Sequence, residues 1–247
     1  MTYRELGVNG FLNNFIQCFW EYENTGAEIE HTILPDGFFD LIAEHERGNL
    51  LKIKLTGVWT KAIQVTIPTS TKIFGIRFKL IAAEYLFKEE IRSILDTSKI
   101  LPSSFWGINT LPSDDFGKFA DILSNQAMAS IKRLKEIDSR KLKLFQHLYQ
   151  DKNLSVEALS AQVCWSSRQI NRYFNSQFGF PLKMFINIVR CNAAYPDIAK
   201  GKLCPQEEFF DQSHFIKEIK KYTGSTPAEL HKNKNDRFLQ LTATSPD

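Results

Sequence analysis

Residues 154–182 read LSVEALSAQVCWSSRQINRYFNSQFGFPL, and this stretch predicts two short helices joined by a tight turn. Ser155 is placed to cap the first helix, because a serine hydroxyl accepts a hydrogen bond from a free amide at a helix start. Ser166 and Gln169 have the spacing of a capping box, which opens the second helix. Gly179 marks the end of that helix, since glycine readily adopts the left-handed conformation found there. This is the layout of a helix-turn-helix.

The second of these helices recurs 45 positions further along the chain. Ser166 corresponds to Asp211, another good capping residue, and Gly179 corresponds to Gly224. Apolar and cationic positions recur at the same spacing: Ile170 with Phe215, Phe174 with Ile219, and Arg172 with Lys217. The chain therefore contains two related helical units.

The second unit departs from the first in the helix that precedes it. Between the copies, residues 182–200 predict a helical linker, which Pro196 should kink or shorten. The supporting helix of the second unit would fall on residues 200–208, which include Gly201 and Pro205, both poor residues in a helix interior. We therefore expect the first unit to provide most of any sequence discrimination.

Exposed polar residues on both recurring helices are candidate contacts to bases and phosphates. Arg168 and Asn171 point away from the apolar stripe, and arginine suits guanine whereas asparagine suits adenine. Arg172 is exposed near the same face and suits a base or a phosphate. The corresponding residues of the second helix are Gln212, Ser213 and Lys217. A solvated charged face is the alternative for such residues, and the repeat disfavours it. Trp165 and His214 are expected to pack or orient rather than to read bases.

Composition is that of an ordinary globular protein. The 247 residues are 43% hydrophobic and 24% charged, with 12 Gly and 9 Pro, which excludes collagen, low-complexity disorder and a disulfide scaffold. No apolar stretch is long enough to span a membrane, and residues 1–21 lack the pattern of a signal peptide. The four cysteines are far apart in sequence, so we expect reduced thiols in a cytoplasmic protein.

Charge is unevenly distributed. Residues 139–247 contain 16 Lys and Arg against 10 Asp and Glu, whereas the remainder is slightly acidic. This asymmetry favours a polyanionic partner for the C-terminal half, although a solvated surface explains six extra charges about as well.

The N-terminal half predicts an antiparallel sandwich or small barrel. Short alternating runs separated by turns indicate strands up to residue 78, with a turn at Pro35-Asp36-Gly37. From Ile81 the spacing becomes helical, and residues 116–134 predict a longer helix. The charged segment 132–139 is the candidate domain boundary, so the predicted class is α+β.

Residues 139–232 resemble the DNA-binding domain of AraC-type transcriptional regulators. The resemblance rests on the runs 154–159, 166–174 and 210–217, and on Gly224-Ser225-Thr226-Pro227. It implies two helix-turn-helix modules bridged by a long helix, each module inserting a recognition helix into the major groove of double-stranded DNA. The implied division is a β-rich, cupin-like sensor or dimerisation domain (1–135), a DNA-binding domain (139–235) and a tail (236–247).

The segments 35–42 and 74–78 resemble the N-terminal domains of a subset of these regulators. The resemblance implies a small organic effector or a second copy of the chain as partner of this half, and RNA polymerase if the protein activates transcription. His31 and His45 are isolated, and the pairs Asp36/Asp40 and Glu44/His45 read as surface residues. No phosphate-binding or nucleophile motif is present, so we expect no cofactor, no metal and no enzymatic activity.

Two other functions remain open. A cupin-like enzyme fused to a DNA-binding domain would be indicated by a clustered His/Glu metal site in the barrel. A helical half that binds another protein would be indicated by an acidic or apolar face on the second helix, against which Arg168, Asn171 and Arg172 argue.

Overall fold

A computed structural model describes residues 1–151, 155–204 and 211–233. Within these ranges, strands come first along the chain and α-helices follow. The strands are β1 (Thr2–Gly7), β2 (Ile16–Asn24), β3 (Ile29–Ile33), β4 (Phe39–Glu46), β5 (Asn49–Thr56), β6 (Ile63–Ile67), β7 (Thr71–Phe78) and β8 (Ser98–Leu101). The helices are α1 (Phe116–Lys132), α2 (Ser139–Gln150), α3 (Val156–Val163), α4 (Ser167–Phe178), α5 (Leu182–Ala199), α6 (Gln212–Thr223) and α7 (Pro227–Lys232).

The strands form a six-stranded antiparallel sheet in the order β1-β2-β7-β4-β5-β8 and a two-stranded antiparallel sheet of β3 and β6. Strand β7 pairs with both β2 and β4, and its residues are buried or half-buried. Gly75 is required there, because a Cβ atom would overlap the indole of Trp20 on β2. Side chains of both sheets line one cavity, so the small sheet lies over one face of the large one. The predicted antiparallel arrangement is confirmed.

One apolar core extends from the large sheet into the helical region. Phe19 and Phe74 of the sheet contact Phe119 of α1, with ring centroids 6.4 and 5.0 Å from that ring. The same core includes Phe145 of α2 and Phe174 of α4. The charged segment 132–139 therefore connects α1 to α2 without interrupting the packing.

The predicted helices are found with some changes. The helical spacing after Ile81 corresponds to two short turns, Ala83–Phe87 and Ile91–Ile94, rather than to α-helix. Helix α5 continues through Pro196 to Ala199, so the proline does not shorten it to that point. Gly201 follows with a positive φ of 83°, whereas Pro205 and the tail 236–247 lie outside the described residues.

Candidate functional site

The helix pair α3–α4 is fixed by the local chemistry that the sequence predicts. Ser155 Oγ accepts a hydrogen bond from the amide of Ala158 at 3.1 Å. At the start of α4, Ser166 Oγ accepts from the amide of Gln169, and Gln169 Oε1 accepts from the amide of Ser166 at 2.9 Å. The predicted capping box is confirmed. Between the helices, Cys164 adopts a left-handed φ of 51° that reverses the chain.

The 45-residue repeat is also a repeat of structure. Helices α4 and α6 each contain 12 residues, and Asp211 caps α6 by accepting from the amide of His214 at 2.8 Å. Both helices end at a left-handed glycine, Gly179 with φ 83° and Gly224 with φ 75°. The next helices, α5 and α7, also begin 45 positions apart. The repeated unit is therefore a capped helix, a glycine turn and a following helix.

The predicted contact residues are exposed, with one exception. Arg168 and Arg172 on α4 are exposed, as are Gln212, Ser213 and Lys217 on α6. None of the three cations forms an ion pair with another described residue. Each unit thus presents a polar face opposite its buried stripe.

Asn171 has a structural role that the sequence did not reveal. Its side chain is half-buried, and Oδ1 accepts from the backbone amide of Leu182 at 3.2 Å. Its Nδ2 donates to the carbonyl of Ser167 at 3.0 Å. The amide therefore joins α4 to the first residue of α5. The contact of Asn171 with adenine stays a prediction, and its Oδ1 atom already accepts from the amide of Leu182.

Helix α4 is also held by the N-terminal half. Tyr173 donates from its hydroxyl to Glu84 Oε2 at 3.0 Å, and Lys141 of α2 forms an ion pair with the same carboxylate. Trp165 packs against the Tyr173 ring at 5.4 Å, in line with its predicted packing role. The guanidinium of Arg140 lies over Trp165 at 5.5 Å.

The predicted turn at residues 35–37 is where α2 and α5 contact the sheet region. Tyr195 of α5 donates from its hydroxyl to the carbonyl of Pro35 at 3.0 Å, and Tyr149 of α2 donates to that of Gly37 at 2.9 Å. Gly37 has a φ of 84°, and a Cβ atom there would lie 3.1 Å from Val189 Cγ2. These contacts join residues 112 and 160 positions apart, so local sequence patterns could not indicate them.

A buried ionic cluster lies beside this turn and corrects a prediction. Asp36, Glu44 and His45, which the sequence places at the surface, are buried, and Asp40 is half-buried. Arg77 Nε lies 3.6 Å from Asp36 Oδ2 and 3.5 Å from Asp40 Oδ1. Burial raises the pKa of Asp36 to about 6 and also raises the pKa of Asp40.

Two cavities border the cluster. One, of about 520 Å³, lies between β1, β2 and β7 and the helices α2 and α5. The other, of about 330 Å³, lies between the two sheets. Asp36 and Arg77 line both. Among residues 1–151, 155–204 and 211–233, no three His, Cys, Asp or Glu side chains are grouped to hold a metal ion, and no helix is long and apolar enough to cross a bilayer.

Comparisons with known proteins identify likenesses in fold at low identity. A family model described as a domain of unknown function, DUF6597, matches residues 9–99. No curated protein matches the chain. Among solved structures, ToxT from Vibrio cholerae, an AraC-family regulator, is similar over most of the chain.

Three ToxT structures illustrate the extent of this similarity. One at 1.65 Å resolution has a TM-score of 0.45 and 8% identity, covering 94% of this chain and 98% of ToxT. One bound to (E)-4-(8-methylnaphthalen-1-yl)but-3-enoic acid has a TM-score of 0.46 and 11% identity, covering 94% and 99%. The wild-type protein with a bound unsaturated fatty acid has a TM-score of 0.43 and 10% identity, covering 86% and 93%. At such values the likeness assigns neither a ligand nor DNA binding to this chain.

Proposed function

We propose that this protein is a sequence-specific DNA-binding transcriptional regulator that reads two major-groove segments with α4 and α6. The observation that carries the proposal is the structural repeat of a capped 12-residue helix, a glycine turn and a following helix at 45 residues. In each copy the buried stripe fixes the helix and leaves a polar face exposed. A helix in this setting fits the major groove, whose width admits one α-helix.

The exposed residues divide into two roles in this proposal. Arg168 stands near the start of α4, where a recognition helix contacts base edges, and its guanidinium pairs with guanine. Arg172 lies one turn further on and contacts a base or a phosphate. On α6, Gln212 and Ser213 occupy the first turn, and Lys217 is a phosphate contact.

The N-terminal half, residues 1–135, acts in this proposal as a sensor or dimerisation domain, with residues 139–235 forming the DNA-binding domain. The continuous core and the contacts of α2 and α5 with the turn at residues 35–37 support communication between them. A small organic effector and a second copy of the chain are the proposed partners of the N-terminal half.

The test uses the full chain and duplexes selected from random-sequence DNA. We expect enrichment of a defined motif and an affinity that falls steeply with salt, because about five or more phosphate contacts release counterions. Arg168→Ala should abolish the enrichment at one or two base positions. Lys118→Ala, which removes an exposed cation on α1, is the matched control and should change neither motif nor salt slope. A folded protein that selects no motif and binds no duplex at low salt would refute the proposal.

A further inference from the structure

We propose that the 330 Å³ cavity between the two sheets binds a small organic cation, with its amine or guanidinium group against Asp36 and Asp40. The cavity has the size of a small-molecule site, at the lower end of the usual range. The claim that this cavity is the effector site of a regulator rests on the function proposed above. The claim that it binds an organic cation does not depend on that function.

The charge of the cluster is unbalanced. Arg77 is the cation within 4.0 Å of Asp36, Asp40 and Glu5, at 3.6, 3.5 and 3.5 Å. These separations exceed the usual length of a charged hydrogen bond, and the buried Nε atom of Arg77 forms none with the described residues. One guanidinium is therefore shared among three carboxylates, at ion-pair distances of 3.5 to 3.6 Å.

Each aspartate has one oxygen held and one available. Asp36 Oδ1 accepts from the amide of Phe38 at 3.0 Å, and Asp40 Oδ1 accepts from Trp20 Nε1 at 2.9 Å. Among the described residues, no hydrogen bond reaches the Oδ2 atom of either carboxylate. Two carboxylate oxygens without a hydrogen bond at a cavity wall favour an occupant that donates hydrogen bonds and carries positive charge.

Besides Arg77, one lysine is among the described residues of the cavity wall, and it is engaged elsewhere. Lys54 of β5 forms an ion pair with Glu44 of β4, which lies diagonally across the strand pair. Glu5 does not line this cavity and accepts a hydrogen bond from the hydroxyl of Tyr3. At this wall two aspartates therefore face Arg77 alone among the described lysines and arginines, which leaves an excess of one negative charge.

The rest of the wall suits the body of an organic cation. Trp20, Tyr22 and Trp59 line the cavity, together with apolar side chains of the small sheet. Aromatic faces attract ammonium and guanidinium groups, and the attraction grows where water is excluded. Burial raises the pKa of Asp36 to about 6, and a bound cation would offset that desolvation. Size, aromatic lining and free carboxylate oxygens thus agree on one class of ligand.

An occupant at Asp36 would contact the turn that α2 and α5 hold. The carbonyls on either side of Asp36, those of Pro35 and Gly37, accept from Tyr195 and Tyr149. Helix α5 follows α4 and precedes α6 along the chain. A ligand bound to Asp36 would therefore lie next to Pro35, the residue whose carbonyl accepts from Tyr195 of α5.

Calorimetric titration of the full chain tests the site without DNA. The probes are 2-phenylethylamine, tryptamine, cyclohexylamine and benzamidine, with 2-phenylethanol as the neutral match and 3-phenylpropionate as the anionic one. We expect at least one cation to bind about tenfold or more tightly than both matches, since a hydrogen-bonded charge pair is worth that much. Asp40→Asn should weaken this binding by about tenfold. Glu5→Gln, which removes a carboxylate at the same distance from Arg77 but outside the cavity, should leave it unchanged.

Several results would overturn the proposal: no binding by any of the four cations, tighter binding of 3-phenylpropionate, or equal effects of the two variants. A second titration, of selected DNA with and without the bound cation, tests the effector role. If the cation binds and DNA affinity does not change, the site stands and its regulatory role fails. If no DNA binds at all, the function proposed above fails and the cavity result is unaffected.

Discussion

Replacing tyrosine by phenylalanine should affect the free energy of unfolding differently at two positions where the ring is buried. Tyr195 on α5 is 1% exposed, and its hydroxyl donates to the carbonyl of Pro35 at 3.0 Å. Tyr222 on α6 is 2% exposed, and its buried hydroxyl has no hydrogen bond to the described residues. Replacing either with phenylalanine removes one oxygen and leaves the ring in place. The difference between the variants therefore isolates the hydrogen bond that connects α5 to the turn at residue 35.

The expected change in the free energy of unfolding depends on which group each substitution leaves without a hydrogen-bond partner. Tyr195→Phe leaves the buried carbonyl of Pro35 without its donor, and we expect the free energy of unfolding to fall by about 1–2 kcal/mol. Tyr222→Phe removes a hydroxyl that is already unpaired, so the variant should be as stable as the wild type or more stable by up to about 1 kcal/mol.

Equilibrium unfolding in urea, followed by tryptophan fluorescence, measures both. At a slope of about 3 kcal/mol per molar, the midpoint of Tyr195→Phe should shift down by roughly 0.5 M with an unchanged slope. Equal losses of stability in the two variants would refute the reasoning, because the hydrogen bond would then make no specific contribution. A normal midpoint for Tyr195→Phe would show that the turn and α5 are held by packing alone.

Three further predictions concern the proposed DNA-binding residues, the ionic cluster and strand β7. Arg168→Ala should weaken binding to the selected site by about 1–3 kcal/mol and relax the preference at one or two base positions. Lys217→Ala should weaken binding to specific and scrambled duplexes alike and lower the salt slope of the affinity by roughly one. Loss of specificity in Lys217→Ala alone would reverse this ranking. Because the pKa of Asp36 is raised to about 6, the folded state holds this proton more tightly and loses stability as pH rises from about 4 to 6. Asp36→Asn keeps the acceptor for the amide of Phe38 and should be more stable than the wild type at pH 8 by up to about 3 kcal/mol. Thermal unfolding at several pH values should show that this gain vanishes near pH 4. Gly75→Ala should cost about 1–3 kcal/mol in urea unfolding by overlap with the adjacent indole, and Gly7→Ala, with open space around its Cβ, should cost little.

The features that the sequence predicts well are those set by neighbours along the chain. The capping box of Ser166 and Gln169 is decided within four residues, and the helix end at Gly179 by one backbone conformation. The alternation of apolar and polar residues likewise predicts strands β5 and β6. Strand β8 contains only four residues, too few for alternation to distinguish it from a loop.

The features that the sequence missed depend on contacts between distant segments. Pro35-Asp36-Gly37 reads as a surface turn because proline and glycine favour turns, and turns are usually exposed. It is buried because Tyr149 and Tyr195 reach it from α2 and α5, 112 and 160 positions away. The role of Asn171 depends on a shorter separation: its oxygen meets the amide of Leu182, 11 positions along and across the glycine turn, which the spacing of residues within α4 does not reveal.

Both repeated helices contact the N-terminal half directly, and at separate points. Helix α4 is held through the hydroxyl of Tyr173 on Glu84, and α6 through its last turn, where the carbonyl of Tyr222 accepts from the amide of Ala62 at 3.0 Å. Two helices that read successive turns of DNA must keep a separation near one helical repeat, about 34 Å, within small tolerance. In the proposed function, the relative position of Glu84 and Ala62 helps to set that separation, because each helix is attached to a different part of the N-terminal half. We therefore expect a change in the N-terminal half to alter the spacing of α4 and α6 through these two contacts as well as along α5.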